Sequence, residues 1–231
     1  MFFPYYFDRT ILLVLVGMAI VGWAQWRVSH VYKKNQALYT QKGETGAQIA
    51  RRLLDNAGLH DVPIEVIGGR MSDHYDPRSR VLRLSQEVAS RATAASIGIA
   101  AHEVGHAIQH AQRYVPLSMR NAIVPAVNLA SSLSIPLLIL GFVMELGGLV
   151  TAALILYASV IVFQIITLPV ELNASRRAMQ ALQSTGLLAP DEAGKARKVL
   201  TAAASTYVAA AFAAVAQLLR LLSIANRQKR D

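Results

Sequence analysis

The five residues His102-Glu103-Val104-Gly105-His106 place two imidazoles and a carboxylate at a spacing that suits one metal ion. On a helix, side chains four apart share a face at about 5–6 Å. Both rings can then converge on a single zinc ion at about 2.0–2.1 Å each. Glu103, one residue past the first ring, reaches a water on the ion rather than the ion itself. Zinc acidifies that water and the carboxylate takes its proton, which is the chemistry of zinc peptidases. The chain has no cysteine, so thiolate ligands and disulfides are excluded and the metal must rest on histidine and carboxylate.

A catalytic zinc has three protein ligands and one open position. His110, His74, Asp73, Asp76 and Glu171 compete for the third place. His110 lies about 12 Å beyond His102 along a continuing helix and cannot share an ion with both motif histidines. Gln109 and Gln112 stand where a metzincin requires glycine and histidine, which excludes that class. Asp73 and Asp76 flank a proline turn and read as turn formers; His74 reads as a surface or substrate-side residue. Glu171 is favoured. It follows Pro169, whose missing N–H costs nothing at the start of a fresh helix, and two intervening spans would return it to the membrane face of the motif. The competing reading is that Glu171 only complements the positive end of its own helix.

The elements that must position these groups are legible in outline. Thr93 can cap a helix from Ala94 to about Gln112 that carries the motif. Thr45-Gly-Ala-Gln48 is a capping-box pattern opening Ala47–Ala57, where Ile49, Leu53 and Leu54 mark one apolar face and Gly58 closes it. Val62–Ile67 is a strand candidate. Arg80–Ser85 alternates after the Asp76-Pro77 turn, and Val81–Leu84 is the expected sheet edge, able to pair with an extended peptide. The alternative is a small structural hairpin. Together these predict a small α+β zincin-like domain.

The rest of the chain is too apolar for a soluble domain: 54% of its 231 residues are hydrophobic and the mean hydropathy is +0.36. A span needs about 20 apolar residues. Thr10–Trp26 reads as a retained anchor, with Phe2, Phe3, Tyr5, Tyr6 and Phe7 before it and Trp23 and Trp26 at its end as interfacial belts. It lacks the basic start, beyond Arg9, and the cleavage site of a signal peptide. Asn121–Leu168 has no lysine or arginine, one acid (Glu145), and a Gly147-Gly148 break, and suits two spans turning at Glu145–Gly148, with Pro125 and Pro136 inside the first arm. Thr201–Leu222, ending in Gln217 and Arg220, is a possible fourth. The motif helix carries too many polar residues, and the chain lacks the Leu-Asp-Gly motif of site-2-type proteases, so an interfacial position is expected. The predicted architecture is an α-rich membrane protein with three to four transmembrane helices: an anchor (1–26), a cytoplasmic zincin-like domain (27–120), a transmembrane hairpin (121–168), a cytoplasmic helix bearing Glu171 (169–200), and a possible fourth membrane helix with a basic tail (201–231).

The net charge of +9 follows topology. Thirteen Lys/Arg lie between Arg27 and Arg120, and Arg176, Arg177, Lys195, Arg197 and Lys198 follow the hairpin. The positive-inside rule makes that side cytoplasmic, facing anionic lipid. If Thr201–Leu222 spans, Arg227, Lys229 and Arg230 fall outside, against the rule. No nucleic-acid-binding pattern is present, and oligomeric state has no signal in the sequence.

The opening Met-Phe-Phe-Pro-Tyr-Tyr-Phe-Asp, the segment Asp73-His-Tyr-Asp-Pro-Arg78, Ala101-His-Glu-Val-Gly-His-Ala-Ile-Gln-His110 and Leu168-Pro-Val-Glu-Leu-Asn-Ala-Ser-Arg-Arg177 occur in this order along the chain. In these segments the sequence resembles the YugP-type bacterial membrane zinc metallopeptidases over essentially its whole length. The layout is more distantly similar to HtpX and the CAAX prenyl proteases, where membrane spans separate HExxH from a glutamate ligand. The resemblance implies a multi-pass zinc peptidase of the bacterial inner membrane, with His102, His106 and Glu171 as ligands and Glu103 as the base. One departure is Ser175, which stands where many glutamate-ligand zincins have an aspartate that orients a ligand histidine; serine, Asn173 or a carbonyl would have to substitute. The expected function is an endopeptidase acting on peptides or membrane proteins at the cytoplasmic membrane surface, with Glu103 passing its proton to the leaving amine and an oxyanion donor among His74, Tyr75 and His110. The rival is a non-catalytic membrane scaffold or adaptor with a structural zinc, closed by a fourth ligand such as His74 or His110. A transporter fits less well, because the spans lack paired ionisable residues.

Overall fold

The computed structural model describes residues 9–228. The aromatic run Phe2–Phe7 and the tail cations Lys229 and Arg230 lie outside the described residues. The order of elements is α1 (Arg9–Gln36), α2 (Gly46–Asn56), β1 (Ile64–Ile67), β2 (His74–Asp76), β3 (Val81–Ser85), α3 (Gln86–Ser90), α4 (Ala94–Ala111), α5 (Val115–Val143), α6 (Gly147–Ser184) and α7 (Pro190–Gln228). The chain divides into two compact units. One holds α1 up to Gln25, Met119–Leu168, and α7 from Thr206; the other holds Trp26–Ser118 and Pro169–Ser205.

The first unit is helical and apolar. Helices α1, α5, α6 and α7 are each long and apolar enough to cross a membrane, and only 11–22% of their apolar windows is buried within the protein. Leu12, Val16, Leu129, Ile139, Ile155, Val162 and Ile165 are all exposed. So much uncovered apolar surface is stable only against lipid, and the protein is an α-rich membrane protein. Inside the unit, Leu138, Val150, Ala153, Leu221 and Ala225 form a small core. Gly17 lets α1 approach α7, since a Cβ there would sit 3.2 Å from the Ala213 backbone; small residues at such crossings admit close backbone packing. Pro125 and Pro136 lie inside α5. The hairpin turn differs in detail from the sequence reading. Glu145 takes the left-handed conformation (φ 55°), and the glycine pair opens α6 instead of forming the turn.

A second difference concerns Pro169. The sequence suggests that it begins a fresh helix, but α6 runs through it without interruption from Gly147 to Ser184. A proline inside a helix removes one hydrogen bond, which helices of membrane bundles tolerate. Residues 169–200 are therefore not one helix: Glu171 lies on α6, and Pro190 opens α7, which continues through the possible fourth span.

The second unit holds the sheet, in the order β1-β3-β2. Strand β3 pairs in parallel with β1 (Leu82 opposite Ile64) and antiparallel with β2 (Leu82 opposite Tyr75). Val81–Leu84, expected as the edge, is thus the central strand. Val81, Leu82, Leu84 and Ser85 are all buried, as befits a strand covered on both faces and paired on both sides. The edge beside α4 is β2, which three residues supply between Asp73 and Pro77.

Helix α4 runs through the middle of this core. Ile97, Ala100, Ala101 and Val104 pack with Leu53 and Leu54 of α2, Leu82 and Leu84 of β3, Ala178 and Leu182 of α6, and Leu200 of α7. Both expected caps form: Thr45 and Gln48 make the capping box of α2, and Thr93 accepts from Ser96 at the start of α4. The closest contact is at Gly105, where an added Cβ would lie 2.4 Å from the Ala174 carbonyl oxygen. Because that neighbour is backbone, Gly105→Ala must push α4 and α6 apart. We expect it to lower stability by about 1–3 kcal/mol, read by thermal unfolding, while Gly22→Ala, where nothing lies within 4 Å, leaves the melting temperature unchanged or raised.

Candidate metal centre

The contact at Gly105 brings one turn of α6 against the motif turn of α4. Nε2 of His102 lies 3.2 Å from Glu171 Oε2, and Nε2 of His106 lies 3.6 Å from the same oxygen. The ligand atoms of these three residues all fall within 4.8 Å of one another. Two ligands of a tetrahedral zinc with bonds of about 2.0–2.1 Å stand about 3.3 Å apart, so the two measured separations bracket that edge.

The tautomer of His106 follows from its neighbours. Arg177 can only donate, and its Nε meets Asn173 Oδ1 at 2.6 Å. That oxygen also accepts from Gln109 Nε2, which donates as well to the Val170 carbonyl at 2.8 Å. The remaining atom of the Gln109 amide is therefore oxygen, and it faces His106 Nδ1 at 3.0 Å. Nδ1 must donate, leaving the Nε2 lone pair directed toward Glu171. At His102, Nδ1 lies 3.1 Å from the Ser175 hydroxyl, so serine occupies the place of the usual aspartate and can accept the same proton. With His102 in the tautomer that has its proton on Nδ1, two imidazole lone pairs and a carboxylate oxygen face one point, an arrangement that a cation there would satisfy. The nitrogen and oxygen donor set is one that zinc takes, and the site fits it.

Glu103 is 8% exposed and accepts the Tyr75 backbone N–H of edge strand β2 at 3.1 Å. Burial pushes its carboxyl up to about 7, with the Glu171 charge adding to the rise and His102 and the Tyr75 N–H opposing it. The other sequence candidates are engaged elsewhere. His74 is exposed and its Nδ1 faces the Ser72 carbonyl. Asp73 accepts from the Ser85 N–H and hydroxyl. Asp76 accepts from Arg78, Ser79 and Arg83, which hold its carboxyl well below the usual range. His110 Nδ1 meets the Tyr75 hydroxyl at 2.9 Å. Among the described residues no fourth histidine or acid joins the three. The sequence reading weighed Gln109 as a missing glycine and as one of the polar residues of the motif helix, not as a partner of His106; its spacing of three from His106 was the available signal for its contact.

A candidate three-residue metal site on an HExxH helix, a nearby edge strand and four helices long and apolar enough to span a membrane are features that fit a membrane zinc peptidase. The chain belongs to the family described as "Putative neutral zinc metallopeptidase", whose profile matches residues 10–226. It is similar to the "Putative membrane protease YugP" of Bacillus subtilis (strain 168), 45% identical over 216 residues, which are 93% of this chain and 95% of that protein. No solved structure matches the chain.

Removing the partner of His106 should be felt at the metal. Gln109→Leu is expected to weaken zinc binding about 10–100-fold, measured by competition with a chromophoric chelator. A second expectation concerns pH. In metal-free protein the Glu103 carboxyl titrates near 7 instead of 4.5, so the folded state holds more protons between those values and loses stability as pH rises through them. Glu103→Gln should therefore stabilise the metal-free protein by up to about 3 kcal/mol at pH 8 and by nothing at pH 4, read from denaturant melts at both.

Proposed function

We propose that the protein is a membrane-anchored, zinc-dependent endopeptidase whose active site faces the cytoplasm. The observation that carries this reading is the convergence of His102, His106 and Glu171 on one point, with the buried carboxylate of Glu103 beside it and an edge strand alongside. The three residues would hold zinc. When bound, the metal supplies a Lewis acid that acidifies water and polarises the scissile carbonyl. Glu103 acts as base, taking a proton from the attacking water and delivering it to the leaving amine. Ser175 and Gln109 keep both imidazoles in the tautomer that turns Nε2 toward the metal. The peptide would lie in extended form along β2, not β3, with the Tyr75 N–H holding Glu103 in place.

The orientation rests on charge: the cations that follow the first apolar segment and the hairpin belong inside by the positive-inside rule. Substrates would be peptides or membrane proteins near that surface. The scaffold reading needs a fourth protein ligand to close the zinc, and the group of three argues against it.

The test compares wild type and Glu103→Gln, purified in detergent and loaded with zinc, for metal content and cleavage of an unfolded protein. Equal zinc, with chelator-sensitive cleavage in wild type and a loss of at least about 100-fold in the variant, is the expected result. Full zinc with no cleavage by either would favour the structural site.

A further inference from the structure

Beyond Glu103, the same face of α4 leads into a second recess. Residues at 103, 107 and 110 share one stripe of the helix, and Ala107 and His110 line a hollow of about 370 Å³ together with Tyr75, Arg80, Arg113 and Ser118. His110 is seven residues beyond Glu103, about 10 Å along the helix axis. An extended peptide covers that distance in about three residues.

The hollow is cationic, and its two arginines are placed there against backbone preference. Helix α4 ends in a Schellman motif, with the Tyr114 N–H on the Gln109 carbonyl and the Arg113 N–H on that of His110. The residue in the left-handed position of this motif is ordinarily glycine; here it is Arg113, with φ 52°. Arg80, in the turn between β2 and β3, is left-handed too, with φ 55°. Arg80 lies 2.9 Å from Asp61. Among the described residues Arg113 has no acidic partner. It is exposed at the rim of the hollow.

We propose that this hollow is a specificity subsite that takes an acidic side chain of the substrate, with Arg113 as the residue that selects it. The inference rests on the peptidase reading and adds a substrate class to it. Strand direction sets the position. Asp76 pairs with Val81, so β2 runs from His74 toward the Arg80 end, where the hollow lies. A peptide lying antiparallel beside β2, whose Tyr75 N–H is already engaged by Glu103, has its N-terminal part at that end. The acidic residue then sits about three positions before the cleaved bond.

The experiment uses full-length Glu103→Gln protein with zinc in a neutral detergent. Binding of three fluorescent peptides, identical except for Asp, Asn or Lys three residues before the scissile bond, is read by anisotropy; wild type is assayed in parallel for cleavage of the same peptides. The Asp peptide should bind about tenfold tighter than the Asn peptide. Adding Arg113→Gly should abolish the difference without lowering the melting temperature, because glycine suits the left-handed position. Adding Arg113→Glu should reverse the preference toward Lys. Equal binding of all three peptides overturns the subsite. So does Arg113-dependent binding of anionic vesicles with no discrimination among peptides, which would assign the hollow to a phosphate headgroup. Charge discrimination in binding with no cleavage by wild type would leave the subsite standing and remove the peptidase reading.

Discussion

Three potential metal-ligand atoms meet at one point between α4 and α6, and most of the sheet-bearing unit can be understood as the means of keeping them there. Left alone, two imidazole lone pairs and a carboxylate would repel one another or capture protons. The two imidazoles are tied from behind: His102 by Ser175 and His106 by Gln109, which is itself held by the Val170 carbonyl and Asn173. Arg177 ends the chain of donors, and its fixed charge state makes every orientation upstream of it unambiguous. The arrangement requires two helices to cross at backbone contact, which the missing side chain of Gly105 permits.

Glu103 is governed by a different balance. Its carboxyl is buried against β2, and burial outweighs the favourable Tyr75 N–H in setting its proton affinity. A carboxylate held in water would be too weak a base to matter at neutral pH, while one buried without a donor would remain protonated. The backbone hydrogen bond from an edge strand positions the group and, after His102, helps to limit its rise. The same strand thus serves as the wall of the cleft and as a partner of the base.

Local rules read the helical parts of this site well. The HExxH spacing, the Thr93 cap and the Thr45 capping box are local patterns, and the structure keeps all three. Glu171 could be singled out because two spans return it to the membrane face of the motif, while His110 fails on helix geometry and Asp73, Asp76 and His74 read as turn or surface residues. What was not legible depends on distant partners. Gln109 touches Val170 and Asn173, more than sixty residues away, and nothing local distinguishes that amide from a solvated one. Strand β2 is three residues long, too short for alternation to show. Pro169 obeys the local rule for a helix start and is overruled by a long apolar helix that continues through it. The adjacent pair Val81-Leu82 was the available warning that this strand is covered on both faces and cannot be the free edge.

The order of residues along the chain has a consequence for synthesis. His102 leaves the ribosome 69 residues ahead of Glu171, with His106 close behind it, and the core around α4 also waits for Leu182, Leu187, Ala196 and Leu200. At about 5–20 residues per second, the motif helix exists for several seconds without its third acceptor or a closed interior. A nascent chain therefore carries an incomplete centre until α6 and the start of α7 have been made.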